Sequence, residues 1–228
     1  METTLHRQLK QLYAGEEGES EVRLGRYRID AVRDDLLIEV QHGGLSAIRD
    51  KIGVLVKKHN VLVVKPIVAR KRITRRSKPG GDVASRRWSP KRGTLLDLFH
   101  ELVHFTRVFP HKRLTIEAPL VEIEEHRVPG HGRRRRWRRN DHVVEDQTLI
   151  RVVESASFRT PADLLKLLPK RLPSPFDTAD LAKGLEIERW IAQRIAYALR
   201  KTGAITEVGK RGNALLYKKA TKRKKRAA

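Results

Sequence analysis

The first 70 residues alternate between helical and strand-like spacing of their apolar positions. Leu5, Leu9 and Leu12 recur at helical spacing, which predicts an amphipathic helix over 3–14. Short β-branched runs interrupted by polar residues follow, as expected of strands. The predicted order is helix, three strands, helix, strand, with the three strands at 21–23, 27–32 and 36–41, the second helix at 46–56 and a buried strand at 61–67.

Three polar residues lie inside the second and third predicted strands. Strand alternation puts Glu39 and Gln41 on one face, and Asp30 can reach that face from across the turn. Two carboxylates from adjacent strands suit a hard cation such as Mg²⁺. Such a cation lowers the pKa of bound water and stabilises a phosphoryl transition state. The solvated face of an ordinary hairpin explains the same spacing, so the spacing alone leaves both interpretations open.

The element order, with Asp30 and Glu39-Val40-Gln41, resembles the core of the PD-(D/E)XK nuclease superfamily over roughly residues 1–68. The resemblance implies an α/β fold with an αβββαβ restriction-endonuclease-like core. It also implies that Asp30 and Glu39 bind Mg²⁺ or Mn²⁺. Gln41 stands where Lys is commoner in that family, and an amide can orient the attacking water without supplying positive charge.

Other residues are candidates for the remaining roles that this resemblance implies. Lys51, on the following predicted helix, is a candidate source of the missing positive charge. The family often adds an acid from its first helix, where this chain offers Glu2 at the start, with His6 one turn on. Glu21 is a second candidate for an extra metal-binding carboxylate.

A competing motif is His100-Glu101-Leu102-Val103-His104, which fits the H-E-x-x-H pattern of zinc peptidases. The pattern needs two imidazoles one turn apart on a helix, here predicted over 94–107, and a third zinc ligand. Arg107 and Pro110 occupy the positions where the longer pattern has Gly and His. A structural helix is therefore favoured, and a zinc peptidase is the less favoured alternative.

The charge of the chain indicates a polyanionic partner. The formal net charge is +23, and three runs, 70–92, 133–139 and 222–226, hold 21 of the 50 Lys and Arg residues but one of the 27 acids. Such runs predict a loop, a linker and a tail that bind nucleic-acid backbone, although they can also serve only solubility. In the middle run, Arg134, Arg135 and Trp137 are candidate contacts, because Trp137 can stack on bases.

The last third of the chain predicts three short helices and a hairpin. Thr160-Pro161 starts the first helix, Asp177 the second, and Ile187–Lys201 forms the third. Two strands around Gly209–Asn213 follow. This order resembles a winged helix-turn-helix over about 158–218, which implies DNA contacts from the third helix and from the wing. The candidate residues are Arg189, Gln193, Arg194, Lys210 and Arg211.

The sequence therefore predicts an α/β nuclease-like domain over 1–128 with a basic loop near 70–92, then a basic linker over 129–147. An α+β winged helix-turn-helix domain over 148–218 and a basic tail over 219–228 complete the prediction. No cysteine, signal peptide or membrane-spanning run is present, which predicts a cytoplasmic location without membrane partners.

The predicted function is that of a metal-dependent DNA endonuclease whose winged helix holds the substrate. RNA remains an alternative substrate, and the sequence gives no oligomeric state. A DNA-binding or regulatory protein with an inactive nuclease-like domain is the main alternative. The departure at Gln41 and the uncertain acid of the first helix support that alternative.

Overall fold

The computed structural model describes residues 2–130 and 141–220, which divide into two units. The sheet unit comprises Met1–Gly43, His59–Leu95 and Glu117–Ala156, and the helical unit comprises Gly44–Lys58, Leu96–Ile116 and Ser157–Ala228. The fold is mixed α/β, with a large mixed sheet and a separate two-stranded sheet. None of the described helices is long and apolar enough to cross a membrane.

Among the described residues, the sheet unit contains one helix and the eight strands of the large sheet. The exceptions are a few residues of the last two strands, which belong to the helical unit. In chain order the elements are α1 (Thr4–Ala14), β1 (Glu19–Leu24), β2 (Tyr27–Arg33), β3 (Leu36–Val40), β4 (Asn60–Val64), β5 (Ile67–Arg76), β6 (Val83–Trp88), β7 (Leu114–Pro129) and β8 (His142–Phe158).

The pairing of neighbouring strands changes once, from antiparallel to parallel, within the first half of this sheet. The strand order is β1-β2-β3-β4-β7-β5-β6, and β8 also pairs with β7. β1, β2 and β3 are antiparallel neighbours, whereas β3 and β4 are parallel. A parallel pair needs a crossover connection, and the chain between β3 and β4 contains the predicted second helix. The predicted helix, three strands, helix and strand are thus confirmed as elements.

The core of the sheet unit lies between α1 and the inner strands. Leu5 and Leu9 of α1 are fully buried in one cluster with Ile38 and Val40 of β3 and with residues of β4 and β7. These leucines are one helical turn apart, so they form a single apolar stripe. Thr3 caps the helix by accepting a hydrogen bond from the His6 N–H.

The basic stretch 70–92 is not the loop that its charge predicts. Most of it forms β5 and β6, which pair antiparallel with Arg72 opposite Trp88. The apolar run 61–67 also belongs to two strands, β4 and β5, rather than one. The prediction of a loop fails because it treats the cations as solvated, whereas carboxylates of β7 pair with several of them.

The helical unit contains five α-helices and a hairpin among its described residues. Short 3₁₀ turns cover Leu45–Ala47, Leu95–Asp97 and Leu165–Leu167 along the chain. The other elements are α2 (Arg49–Leu55), α3 (Leu98–Leu102), α4 (Pro161–Leu164), α5 (Thr178–Leu185), α6 (Arg189–Lys201), β9 (Ile205–Arg211) and β10 (Ala214–Lys219). The long helix predicted over 94–107 is wrong, since α3 has five residues.

Local signals define the helices that follow residue 160. Thr160 and Asp163 form a capping box with Pro161 in the first turn of α4, as the sequence predicts. Asp177 and Asp180 form a second capping box at the start of α5. Glu186 ends α5 in the left-handed conformation, at φ 54°, and two residues later α6 begins.

A β-bridge joins the start of the α5–α6 segment to the hairpin. Phe176 pairs with Tyr217 of β10, and the backbone N–H of each donates to the carbonyl of the other at 3.0 and 2.8 Å. Both side chains are buried, with ring centroids 6.0 Å apart. The hairpin is therefore anchored to the segment that precedes α5.

We expect Leu9→Ala to lower the free energy of unfolding by about 2–5 kcal/mol, because it removes a fully buried side chain and leaves a cavity. Leu12→Ala, on the exposed side of the same helix, should change it by less than about 0.5 kcal/mol. Urea denaturation followed by circular dichroism measures both. Equal losses for the two variants would contradict this account of the core.

Candidate functional site

Asp30 lies in β2, and its carboxylate reaches the backbone of β3. Its Oδ2 accepts a hydrogen bond from the Val40 N–H at 2.9 Å and lies 3.3 Å from Nε2 of His6 on α1. Burial works to raise the pKa of Asp30. Those two hydrogen bonds, with the charges of His6 and Lys10, outweigh burial and hold the pKa below its usual range. Asp30 is therefore a fixed, ionised carboxylate.

Glu39 lies one residue past the last pair of the β2–β3 register. That last pair is Ala31 with Ile38, and Asp30 and Glu39 are the next residues along the two strands. Glu39 is buried, at 4% exposure. On β3 it lies between Ile38 and Val40, which belong to the core beneath α1, so alternation directs its side chain to the other face.

Gln41 follows the end of β3 and continues its pairing with β4. Its backbone N–H donates to the Val64 carbonyl at 2.8 Å. A Cβ on Gly43 would lie 3.1 Å from Gln41 Nε2, which is closer than most side chains tolerate. Gly43 therefore leaves room for the amide of Gln41.

Lys65 is a buried cation that the sequence does not single out. In the parallel register of β3 and β4, Val40 lies opposite Val64, so Lys65 follows Val64 as Gln41 follows Val40. Its Nζ donates to the carbonyls of His42 and Gly43, at 3.0 and 2.6 Å. Only the pairing of β3 with β4 reveals this position, and that pairing is not local in sequence.

The charge of Lys65 also acts on His42. Burial of the imidazole lowers the pKa of His42, and the nearby positive charges of Lys65 and His6 lower it further. His42 is therefore neutral near pH 7. The segment that follows β3 thus has one buried cation, Lys65, bound to its carbonyl groups.

Glu21 makes ion pairs beside Asp30. It accepts hydrogen bonds from Lys10 of α1, at 2.9 Å, and from Arg28. Hydrogen bonds from Lys10 and Arg28 hold the pKa of Glu21 below its usual range. The β1–β2 register runs through Ser20–Ala31 and Val22–Ile29 but records no pair at Glu21, which has φ 62°. The irregularity of β1 therefore lies opposite Asp30.

Lys10 connects Glu21 to the start of α1. It is buried, and its Nζ lies 2.7 Å from Glu2 and 2.9 Å from Glu21. Burial works to lower the pKa of Lys10, but these two carboxylates outweigh it and raise the pKa. Glu2, the candidate acid of the first helix, and Glu21 therefore both balance the charge of Lys10.

A metal ion here would have two protein carboxylates available. Within the described residues, no group of three or more His, Asp or Glu side chains is arranged to hold a metal ion. Mg²⁺ commonly uses one or two carboxylates and completes its shell with water and phosphate oxygens. Asp30 and Glu39 have the right donor chemistry for that role. Lys51 belongs to the helical unit, in α2.

The H-E-x-x-H residues have other partners in the helical unit. Glu101 Oε2 accepts a hydrogen bond from the Leu45 N–H at 2.8 Å. His100 lies 3.3 Å from a guanidinium nitrogen of Arg194 and 5.5 Å, between ring centroids, from Trp190. His104 falls beyond the end of α3. The motif thus lacks the continuous helix that would align its two imidazoles.

Three buried glutamates of β7 pair with cations of the sheet unit, all but one of which lie on other strands. Glu122 binds Arg70 and Arg151, and Glu124 binds Arg72 and Arg86. Glu125 binds Lys71 and Arg127 and accepts a hydrogen bond from Gln147. These three carboxylates, Glu122, Glu124 and Glu125, are called the β7 glutamates below. They explain how the basic stretch 70–92 can form ordered strands.

Strand β6, the outer strand of the basic β5–β6 hairpin, also presents an aromatic residue. All six residues of β6 are exposed, including Trp88. The guanidinium of Arg70 lies 4.2 Å from the centroid of the Trp88 ring, in cation–π geometry. Arg87 of β6 and Arg75 of β5 make no ion pair with a described carboxylate, so they remain available to an anionic ligand.

Helix α6 has an exposed face without acidic residues. Arg189, Gln193 and Arg194 are all exposed, as the predicted nucleic-acid contacts should be. The sequence prediction omitted Trp190, which is 52% exposed. The signal that could have found it is its spacing, because it lies one turn before Arg194 and two turns before Tyr197.

The two basic residues of the wing have different environments. Arg211 donates to the carboxylates of Asp177 and Asp180 at the start of α5. Lys210 makes no ion pair within the described part of the chain. Arg211 therefore holds the hairpin against α5, and Lys210 is the wing cation available to a ligand. The predicted contacts Arg134, Arg135 and Trp137 lie outside the described residues, as does most of the predicted tail.

Comparison with known proteins assigns the chain to a family. Residues 3–159 match the domain of unknown function DUF8091. The chain belongs to this family. A Treponema pallidum (strain Nichols) protein described as uncharacterized is 31% identical over 220 residues, which cover 96% of this chain and 85% of that protein. No solved structure matches the chain. The DUF8091 match includes the sheet unit from residue 3 onward and ends before α4 begins.

We expect the β7 glutamates to make the stability of the folded protein depend on pH. Burial works to raise the pKa of Glu125, but hydrogen bonds from Lys71, Arg127 and Gln147 outweigh it and hold the pKa below the usual value of 4.5. A carboxyl with a lowered pKa in the folded state stabilises the fold above its unfolded-state pKa. That stabilisation is lost as pH falls through the lower, folded-state pKa.

Glu125→Gln should therefore reduce stability by about 1–3 kcal/mol at pH 7 and flatten the decline of stability in acid, because the hydrogen bonds that it weakens are charge-assisted. Thermal unfolding between neutral and acidic pH measures both effects. Glu154→Gln removes the same charge from an exposed position of β8 and serves as the control. Parallel pH profiles for wild type and Glu125→Gln would show that the carboxylate is not stabilising.

Proposed function

We propose that this protein is a Mg²⁺- or Mn²⁺-dependent nuclease that hydrolyses phosphodiester bonds of DNA. The single observation that carries the proposal is the position of Asp30. Its carboxylate accepts a hydrogen bond from the Val40 N–H, between Glu39 and Gln41 on the neighbouring strand. The Asp30 carboxylate therefore lies at the backbone between the other two motif residues, Glu39 and Gln41.

The order and direction of the strands support this proposal. The chain has a helix, three antiparallel strands, a helix and a strand parallel to the third, which is the element order that the resemblance to the PD-(D/E)XK superfamily implies. Asp30 and Glu39 take the motif positions on the second and third strands. The left-handed backbone at Glu21, opposite Asp30, adds support, since strained conformations concentrate at functional sites.

The residues present fit the chemistry of a hard cation. Asp30 and Glu39 supply carboxylate oxygens, and a bound Mg²⁺ would activate water and neutralise charge on the phosphate. Asp30 and Glu39 would hold the cation, and the Gln41 amide would orient the water. Lys65, beside Gln41 in register, supplies positive charge in place of the commoner motif Lys. A cation shared by Asp30 and Glu39 requires both carboxylates to reach one edge of β3.

The helical unit supports DNA binding as the second part of this function. α5 and α6 are joined by a short turn and followed by a two-stranded hairpin, as in a winged helix-turn-helix. The isolated Phe176–Tyr217 bridge adds one residue pair beside that hairpin, where a winged helix would have its third short strand. α6 would then contact DNA through Arg189, Gln193 and Arg194, with Lys210 on the wing.

A DNA-binding protein without nuclease activity is the second candidate. It is favoured by the donor set, because the described residues offer no group of three metal-binding side chains. In that case the role of Asp30 would be structural, through its contacts with His6 and Val40. The two candidates make different predictions for metal binding and for cleavage.

Asp30→Asn and Glu39→Gln should each reduce metal-dependent DNA cleavage by about 10²–10³-fold, because each removes charge that holds the cation at the reacting phosphate. Both should leave DNA affinity nearly unchanged. Cleavage of plasmid, branched and single-stranded DNA with Mg²⁺ or Mn²⁺ measures the first effect, and fluorescence anisotropy measures the second.

The matched control is Asp34→Asn, which removes one carboxylate from the exposed turn between the same strands. Asp34 has φ 52°, a conformation that Asn also tolerates, so the turn should be preserved. The control should cut DNA like wild type. Wild-type protein that binds DNA with a steep salt dependence but binds no Mn²⁺ and cuts no substrate would establish the second candidate.

The two wing cations provide a further test. Lys210→Gln should flatten the log–log dependence of DNA affinity on salt by about 0.9, the share of one phosphate neutralised by a lysine, without changing thermal stability. Arg211→Gln should instead lower the melting temperature, because it breaks the ion pairs with Asp177 and Asp180. A salt titration of binding and thermal unfolding of both variants separate these roles. Unchanged binding by Lys210→Gln would remove the wing from the DNA interface.

A further inference from the structure

Helix α6 carries a stripe in which aromatic and basic side chains alternate. Trp190, Arg194, Tyr197 and Lys201 follow one another at spacings of four, three and four residues, which places them on one side of the helix. All four are exposed. These four residues are called the α6 stripe below. At 1.5 Å per residue, its two rings are separated by about 10.5 Å along the helix axis.

Each ring of the stripe has a cation close to it. The Arg194 guanidinium lies 5.5 Å from the Trp190 ring centroid, and the Lys201 ammonium lies 5.9 Å from that of Tyr197. Neither cation makes an ion pair with a described carboxylate, and α6 itself contains no acid. His100 of α3 lies beside Trp190 and Arg194, and Trp190 is still 52% exposed. The stripe therefore offers flat apolar surfaces next to positive charge that has no described acidic partner.

That combination matches one ligand chemistry better than others. A nucleotide pairs a flat π-face with a phosphate, and stacking on aromatic side chains is the usual way to bind bases that are not paired. In a duplex the bases face one another, and the major groove presents hydrogen-bonding edges. Trp190 and Tyr197 cannot stack on bases enclosed in a duplex, so the rings favour a strand whose bases are exposed.

We propose that the α6 stripe binds the unpaired bases of single-stranded DNA, with Trp190 and Tyr197 stacking on bases and Arg194 and Lys201 contacting phosphates. This inference rests on the proposed DNA-binding function and names its substrate class. The rings are too far apart to stack on one base, so they hold two bases of a strand. A substrate with a single-stranded segment, rather than continuous duplex, is the class selected.

The test compares a fluorescein-labelled thymidine homopolymer with a duplex of equal length, by anisotropy with the full-length protein. Trp190→Leu should weaken binding to the homopolymer by about 5- to 150-fold, the effect of removing one stacked base at about 1–3 kcal/mol. Its effect on duplex affinity should be much smaller. Trp190→Phe keeps a ring and should recover most of the affinity.

Two controls test whether the loss of affinity comes from misfolding or from the removal of any exposed apolar side chain. Trp190 is largely exposed, so Trp190→Leu should fold like wild type, which circular dichroism checks. Leu12→Ala removes an exposed apolar side chain from α1 in the sheet unit and should leave homopolymer affinity within about twofold, well below the effect of one stacked base. Deoxyuridine and uridine homopolymers differ only in the sugar, and preference for the uridine strand would overturn the assignment to DNA.

Other outcomes also decide the question. Unchanged homopolymer affinity in Trp190→Leu, or equal losses for homopolymer and duplex, would overturn the inference. Because Asp30→Asn leaves the α6 stripe intact, it should bind the homopolymer like wild type. If Trp190→Leu loses affinity for the homopolymer alone and the wild type cuts no DNA, single-strand binding by the α6 stripe is supported and the proposed nuclease activity is rejected. If the wild type cuts DNA and Trp190→Leu binds the homopolymer normally, the nuclease activity is supported and the α6 stripe is rejected.

Discussion

Burial of three carboxylates on one strand constrains the sheet unit more than any other feature. A carboxylate removed from water needs charged hydrogen-bond partners, because an unpaired buried charge is very costly. The β7 glutamates obtain partners from β5, β6 and β8, and one from β7 itself. The register of the long strands must therefore align acid with base as well as apolar residue with apolar residue.

This constraint changes what the positive charge of the chain means. Within 70–92, Arg70, Lys71, Arg72 and Arg86 are joined to the β7 glutamates, so they contribute to folding before any ligand arrives. The net charge of +23 counts them together with cations that have no acidic partner. Cations such as Arg87 and Lys210 are therefore the ones on which an electrostatic interaction with DNA depends.

The local spacing of apolar residues predicts the helices and strands near each end of the chain well. The features that it does not predict depend on pairing between strands that are distant in sequence. α1 and the β2–β3 hairpin follow from helical spacing and strand alternation within a few residues. The same hairpin ends its paired register at Ala31 and Ile38, so Asp30 and Glu39 are the next residues along the two strands, and the hairpin itself can be predicted from sequence. Lys65 could not be found in that way, since its place beside Gln41 depends on a parallel pair whose strands are about 20 residues apart. The hairpin β5–β6 was missed because its partners lie on β7, about 50 residues later.

Asp177 carries out two tasks with one carboxylate. Its Oδ1 accepts the N–H groups of Ala179 and Asp180 and so caps α5, while its Oδ2 accepts a hydrogen bond from Arg211 of the wing. The hairpin and the helix start are consequently ordered together when the chain folds. A ligand that touches both α6 and the wing meets a preorganised surface, and little of its binding free energy is spent on restricting loop motion. Affinity for such a ligand should therefore be limited by contacts, with association close to rigid docking.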